Sequence, residues 1–110
     1  MKKILFTALL AISATIAAFA GEKDDTLKIM SYNLRFGELA TMKQIGEYIA
    51  SEAPDIVALQ ECDWDTHRTR APHQNGVRFV NELAYHSGMF GLYGKSIDYA
   101  GGYYGIGILS

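Results

Sequence analysis

Read for its alternation of apolar and polar positions, the chain after residue 25 falls into short blocks with abrupt ends. Leu27–Leu34 begins with apolar and polar residues in turn and becomes more uniformly apolar, which predicts a first strand, broken at Gly37. From Glu38 the period changes. Leu39, Met42, Ile45 and Ile49 recur at spacings of three and four, with Lys43, Gln44 and Glu47 on the opposite side, predicting an amphipathic helix that Pro54 ends. Asp55–Gln60 is a compact apolar run, too short for a helix and closed by Gln60-Glu61, and it predicts a second, buried strand. Glu61–Asn75 has no period and reads as a polar loop. A second helix is expected with Val77, Val80, Leu83 and Ala84 on one face, then strands near Met89–Tyr93 and Tyr103–Leu109, with a turn at Gly101-Gly102.

Strand, helix and strand with short joints make a βαβ unit, whose two strands are parallel. Asn33 and Glu61 then both stand at carboxyl ends of parallel strands, on one rim of the sheet. In open α/β sheets that rim is where ligands bind.

Composition adds a compartment and a charge. Lys2 and Lys3, the apolar stretch Ile4–Ala18 and the Ala18-Phe19-Ala20 site before Gly21 predict a signal peptide over residues 1–20. The expected product is exported, periplasmic or extracellular, with no membrane span after cleavage. Losing two lysines and no acid leaves eight basic against twelve acidic residues, so the net charge moves from −2 to −4. That balance speaks against non-specific binding along a nucleic-acid backbone, though not against a nucleic acid held through metal ions. Cys62 is the single cysteine, so no internal disulfide forms; a small apolar filler beside the strand is the expectation.

A lone carboxylate and an amide on a sheet rim suit a hard cation such as Mg²⁺, which takes one or two protein carboxylates and keeps several waters. The plainer reading has Glu61 ending a strand and Asn33 capping a turn. Arg68 and Arg70 could clamp a phosphate, since guanidinium pairs bidentately with its oxygens; equally, they could pair with Asp63 and Asp65. His67, His73 and His86 have no partner at dyad spacing, and with Cys62 they show none of the zinc spacings. Gly101, Gly102, Gly105 and Gly107 are followed by no Lys-Ser or Lys-Thr and open no helix, so close strand packing is expected, not a phosphate cradle. Tyr99, Tyr103 and Tyr104 are candidates for a cleft wall.

Three segments in this order, IMSYNLR (Ile29–Arg35), PDIVALQE (Pro54–Glu61) and GGYYGIGILS (Gly101–Ser110), resemble the endonuclease/exonuclease/phosphatase superfamily with its DNase I-like fold. DWDTHRT (Asp63–Thr69) is similar to the D-x-x-T-x-R-[ST] loop of many exported bacterial members. The resemblance implies an α/β (α+β) fold class, the N-terminal half of a four-layer α/β sandwich with two mixed β-sheets, over residues 21–110. It also implies a hydrolase that cleaves phosphodiesters or phosphomonoesters with Mg²⁺ or Mn²⁺. Its substrate would be a phosphate ester: nucleic acid, phospholipid headgroup, or sugar or inositol phosphate. Glu61 would be a metal ligand and Asn33 an active-site amide beside metal and phosphate.

Two departures qualify what is carried over. Ile106 and Gly107 stand where many exported members have Asn and Ala. The family's G-D-[FM]-N and S-D-H segments, which supply the water-activating Asp and the charge-stabilising His, do not occur here, and none of the three histidines aligns with them. Together with an apolar strand pattern running to Ser110, this reads as a domain truncated at its C-terminus and inactive by itself. The competing class is a non-catalytic module that binds a phosphorylated ligand or a protein partner through the Asp63–His73 loop.

Overall fold

A computed structural model describes residues 25–110; the signal-peptide segment lies outside the described residues. One four-stranded mixed sheet carries two helices. β1 (Ile29–Asn33) leads through a 3₁₀ turn (Arg35–Gly37) to α1 (Met42–Glu52), then β2 (Ile56–Trp64), a second 3₁₀ turn (Pro72–Gln74), α2 (Phe79–Ser87), β3 (Gly91–Tyr99) and β4 (Gly102–Leu109). The strand order is β1-β2-β4-β3. β1 and β2 are parallel, with Asn33 opposite Gln60, and the other two pairings are antiparallel. Among the described residues no helix is long and apolar enough to cross a membrane.

The helix expected from Glu38 starts four residues later, and the reason is local. Thr41 accepts a hydrogen bond from the Gln44 amide at 3.1 Å while the Gln44 side chain accepts from the Thr41 amide at 2.9 Å. This reciprocal capping box satisfies two donors that a helix start leaves orphaned. It leaves Leu39 outside the helix and 76% exposed. Met42, Ile45 and Ile49 remain the buried stripe, as their spacing requires. The helix stops at Ala53, in the left-handed region, just before the buried Pro54.

α2 likewise begins at Phe79 rather than Val77. Val77 is drawn out of the helix by its carbonyl, which accepts from the Asp65 amide, next to an isolated bridge between Trp64 and Arg78. Phe79, Val80 and Leu83 form the buried face. With the α1 stripe they pack on Val57, Leu59, Cys62 and Leu109 to make one core. Cys62 is fully buried there, and burial, helped by the Asp63 charge, pushes its thiol up to about 12. It is a filler, protonated and inert at neutral pH.

The glycines of β4 serve close packing. A Cβ on Gly107 would lie 2.5 Å from Val80 Cγ2, and one on Gly105 would run into the Gly94 carbonyl oxygen. β3 is longer than the apolar run Met89–Tyr93 suggests, because its polar second half still pairs with β4 as far as Tyr99.

Among the described residues the sheet is covered on one face only. β2 was expected to be buried on both faces; Val57 and Leu59 are buried under the helices, but Ala58 on the other face is half-exposed. Ile29, Leu92, Ile106 and Ile108 share that open face at 66, 74, 58 and 43% exposure, and a shallow apolar depression runs over Ala58, Leu92, Tyr93, Gly94 and Ile106–Ile108. A contiguous apolar sheet face flanked by two edge strands drives association. A chain beginning at residue 21 is therefore expected to self-associate at tens of micromolar. Ile106→Thr with Ile108→Thr, which keeps β-propensity while removing apolar area, should raise the monomer fraction in sedimentation velocity. A wild-type chain that runs as a clean monomer with a cooperative melt would contradict this.

Candidate functional site

β2 does not end at Glu61. It continues to Trp64 as the antiparallel partner of β4, so the first part of the expected polar loop is strand. The change happens through a bulge. Leu59 faces Gly107 and Cys62 faces Gly105, so three steps on β2 match two on β4. The extra residue is absorbed where Glu61 adopts φ 56°. A bulge of this kind re-aims a side chain and increases local twist. Here it turns Glu61 out of the ladder at the point where the parallel partner β1 has just finished.

Asn33, the last residue of β1, meets it. Asn33 Nδ2 donates to Glu61 Oε1 at 3.1 Å, and Asn33 Oδ1 accepts from the Arg35 amide at 2.8 Å. The second contact fixes the amide's orientation, so its NH₂ faces the carboxylate. Leu34 N–H donates to the Gln60 carbonyl at 3.0 Å, holding the two strand ends together beyond the ladder. The two residues that spacing puts on one rim are thus in direct contact, with Glu61 Oε2 left over.

Backbone strain gathers at the same rim. Among the described residues six that are not glycine have positive φ: Arg35, Phe36, Ala53, Glu61, Asp65 and Ala100. Only Ala53 is accounted for by a helix end. Arg35 and Phe36 form the turn after Asn33, Glu61 is the bulge, Asp65 follows β2, and Ala100 is in the β3–β4 turn. His67 N–H donates to the Ala100 carbonyl at 2.9 Å, tying the last two of these segments together. Each such residue costs on the order of 1–3 kcal/mol and persists only where surrounding structure enforces it, most often at functional sites.

The loop cations are largely engaged. Arg68 holds Asp63 bidentately, Nε to Oδ2 at 2.5 Å and Nη2 to Oδ1 at 2.9 Å. Arg70 bonds Glu38 Oε1 at 2.8 Å, and Arg35 reaches Glu38 Oε2 at 2.8 Å. The Arg70 hydrogen bond, with the charges of Arg70 and Arg35, outweighs burial and holds the Glu38 carboxyl below its ordinary 4.5. Asp65 pairs with Arg78. Arg68 and Arg70 line one cleft of about 190 Å³ with His67, Thr69, Tyr99 and Ala100. Neither arginine bonds Asn33 or Glu61. Tyr104 bridges cleft and rim: its phenol is raised first by burial, then by the Glu61 charge, against the opposing pull of Arg68.

His67 lines that cleft; the other two histidines stand elsewhere. His73 Nε2 lies 2.9 Å from the Gly37 carbonyl, and His86 pairs with Glu82 on α2. Among the described residues no three His, Cys, Asp or Glu side chains gather to hold a metal ion. Asp63 was read as a loop acid. It is 1% exposed, inside the strand, accepting from Thr66 Oγ1 at 2.5 Å as well as from Arg68. The three-residue and five-residue spacings within DWDTHRT are the available mark of that cluster.

The bulge can be tested by substitution at Glu61. Glycine adopts φ 56° without the ~1–2 kcal/mol that other residues meet in the left-handed region. Glu61→Gly should therefore stay within about 1 kcal/mol of wild type in urea unfolding, its gain in strain relief offset by unfolded-state entropy. Glu61→Val, β-branched at the same φ, should be less stable than Glu61→Gly by about 1–2 kcal/mol. Equal stability of the two would mean the residue is not in that conformation.

No curated protein and no solved structure matches this chain at a significant level. The model of the Endonuclease/Exonuclease/phosphatase family matches residues 30–110, from the first strand to the last residue and across both Asn33 and Glu61. With its mixed α/β sheet and paired strand-end residues, the chain belongs to the endonuclease/exonuclease/phosphatase family of DNase I-like hydrolases.

Proposed function

We propose that this is an exported, divalent-cation-dependent phosphoesterase and that Glu61 is its cation-binding carboxylate, with Asn33 beside it. The observation that carries the reading is the Glu61 bulge, turned to hydrogen-bond distance of Asn33 on the sheet rim. Family membership supplies the reaction class, hydrolysis of phosphate esters.

The donor set fits a hard cation. A single carboxylate with one free oxygen, next to a neutral amide, matches Mg²⁺ or Mn²⁺, which keep waters and complete their shells with phosphate oxygens. It does not match a structural zinc site, which closes with four nitrogen or sulfur donors. When bound, such a cation neutralises charge on the phosphate and the leaving oxygen. Glu61 would hold the cation through its carboxylate, and Asn33 Nδ2, donating to Oε1, orients that carboxylate. The Arg68–Arg70 cleft, along the same rim, receives the remainder of a phosphate-ester substrate, with Arg70 the more exposed of the two cations. Nucleic acids, phospholipid headgroups and sugar or inositol phosphates all present that chemistry.

Among the described residues no histidine and no second carboxylate hydrogen-bonds Glu61. The expectation for this chain is therefore cation binding with negligible turnover. The same observation favours the second reading, a non-catalytic module that binds a phosphorylated ligand or a protein partner.

Titration with Mn²⁺, followed by water-proton relaxation, should show one site in the wild type, weakened at least tenfold by Glu61→Gln. Hydrolysis of bis(p-nitrophenyl) phosphate should stay near background in the same samples. Equal Mn²⁺ affinity in wild type and Glu61→Gln would sink the cation assignment; robust Glu61-dependent turnover would overturn the expectation of inactivity.

A further inference from the structure

We propose that the Asp63–Arg68 pair is a positioning device for the Asn33–Glu61 pair, and that Arg68 acts through it rather than by gripping substrate. This rests on the site assigned above and adds the residues that hold that site in shape.

Four elements converge on one guanidinium. Arg68 spends Nε and Nη2 on Asp63, which stands on β2 two residues beyond the Glu61 bulge. Its guanidinium carbon lies 4.4 Å from the ring centre of Phe36, in the strained turn that follows Asn33. It lies 4.3 Å from the Tyr99 ring on β3 and 5.1 Å from the Tyr104 ring on β4. Tyr104 is the register partner of Asp63. The Arg68 side chain is 14% exposed and that of Asp63 is 1% exposed.

The consequence is mechanical. Glu61 and Asn33 are carried by two backbone segments of unfavourable φ, Glu61 itself and Arg35-Phe36. Neither segment would keep its conformation unless something fixed both. Asp63 pins the strand just past the bulge, Phe36 pins the turn just past Asn33, and Arg68 joins the two by a bidentate ion pair and a stacking contact. Thr66 adds a third donor to the Asp63 carboxylate, so that acid is held from two sides before any ligand arrives. A guanidinium with its Nε–Nη2 edge committed to a buried acid and three rings around it is held in one place. It is well suited to set a distance, and lysine, without fork or plane, cannot replace it.

The test reads the Asn33 side-chain amide of the full ¹⁵N-labelled chain by NMR, without added cation. Asn33→Ser assigns the resonance, and Glu61→Gln defines its position when the carboxylate is lost. Arg68→Lys and Asp63→Asn are each expected to move the Asn33 amide toward the Glu61→Gln position. Leu83→Ala, a core truncation on α2 remote from these rings, should lower the melting temperature and leave the Asn33 amide where it is. Having two variants guards against one failing to fold. Mn²⁺ affinity should fall about tenfold in Arg68→Lys and not in Leu83→Ala, the scale seen when partners behind a metal ligand are removed.

An Asn33 amide unmoved in both Arg68→Lys and Asp63→Asn overturns the proposal. So does a shift of equal size in Leu83→Ala, which would mark the effect as general loosening, and so does an Asn33 amide indifferent to Glu61→Gln. Absence of Mn²⁺ binding in the wild type would overturn the cation reading alone, because the amide shifts are measured without it.

Discussion

One backbone constraint organises this molecule: β2 must serve a parallel neighbour on one side and an antiparallel neighbour on the other, and the two ladders do not end together. β1 stops at Asn33, opposite Gln60, while β4 holds β2 as far as Trp64. The mismatch is taken up in a single bulge, and the residue in it is Glu61. A carboxylate in a regular strand would point to one face of the sheet. In the bulge it leaves both faces and turns along the rim toward the last residue of β1. The left-handed φ there costs stability, and the aromatic and ionic contacts around Arg68 are what hold it.

The electrostatics follow the same economy. Around the rim, Arg35 and Arg70 share Glu38, Arg68 is closed on Asp63, and Arg78 on Asp65. Among these described rim residues Glu61 differs, its carboxylate being hydrogen-bonded by a neutral amide.

What the sequence made legible was the part governed by local period. The parallel pair of strands, the helix between them and the placing of Asn33 and Glu61 on one rim all follow from apolar spacing in a βαβ unit. The start of α1 was misplaced, because the apolar Leu39 suggests an earlier start that the Thr41–Gln44 capping box overrules. The rest was hidden for physical reasons. Asp63 looks like a loop residue because a buried acid is rare, and it is buried only because Arg68 and Thr66 fold back to satisfy it. The continuation of β2 past Glu61 depends on β4, some forty residues further on, and no local pattern reports that pairing. Phe79 opens α2 rather than Val77 because a backbone bond to Asp65 holds Val77 outside.

The strand order has a kinetic meaning too. β1, α1 and β2 are contiguous in the chain, so their contacts close short loops and can form early. The bulge has no reason to exist until β4 pairs with β2, and β4 follows both β2 and β3 in sequence while inserting between them. A partly folded chain with only its first three elements in place would therefore carry Glu61 on an unpaired strand edge, free of the left-handed turn and out of register with Asn33. The site is assembled only when this long-range pairing forms, so binding at Glu61 would report on the β2–β4 register and not on the βαβ unit alone.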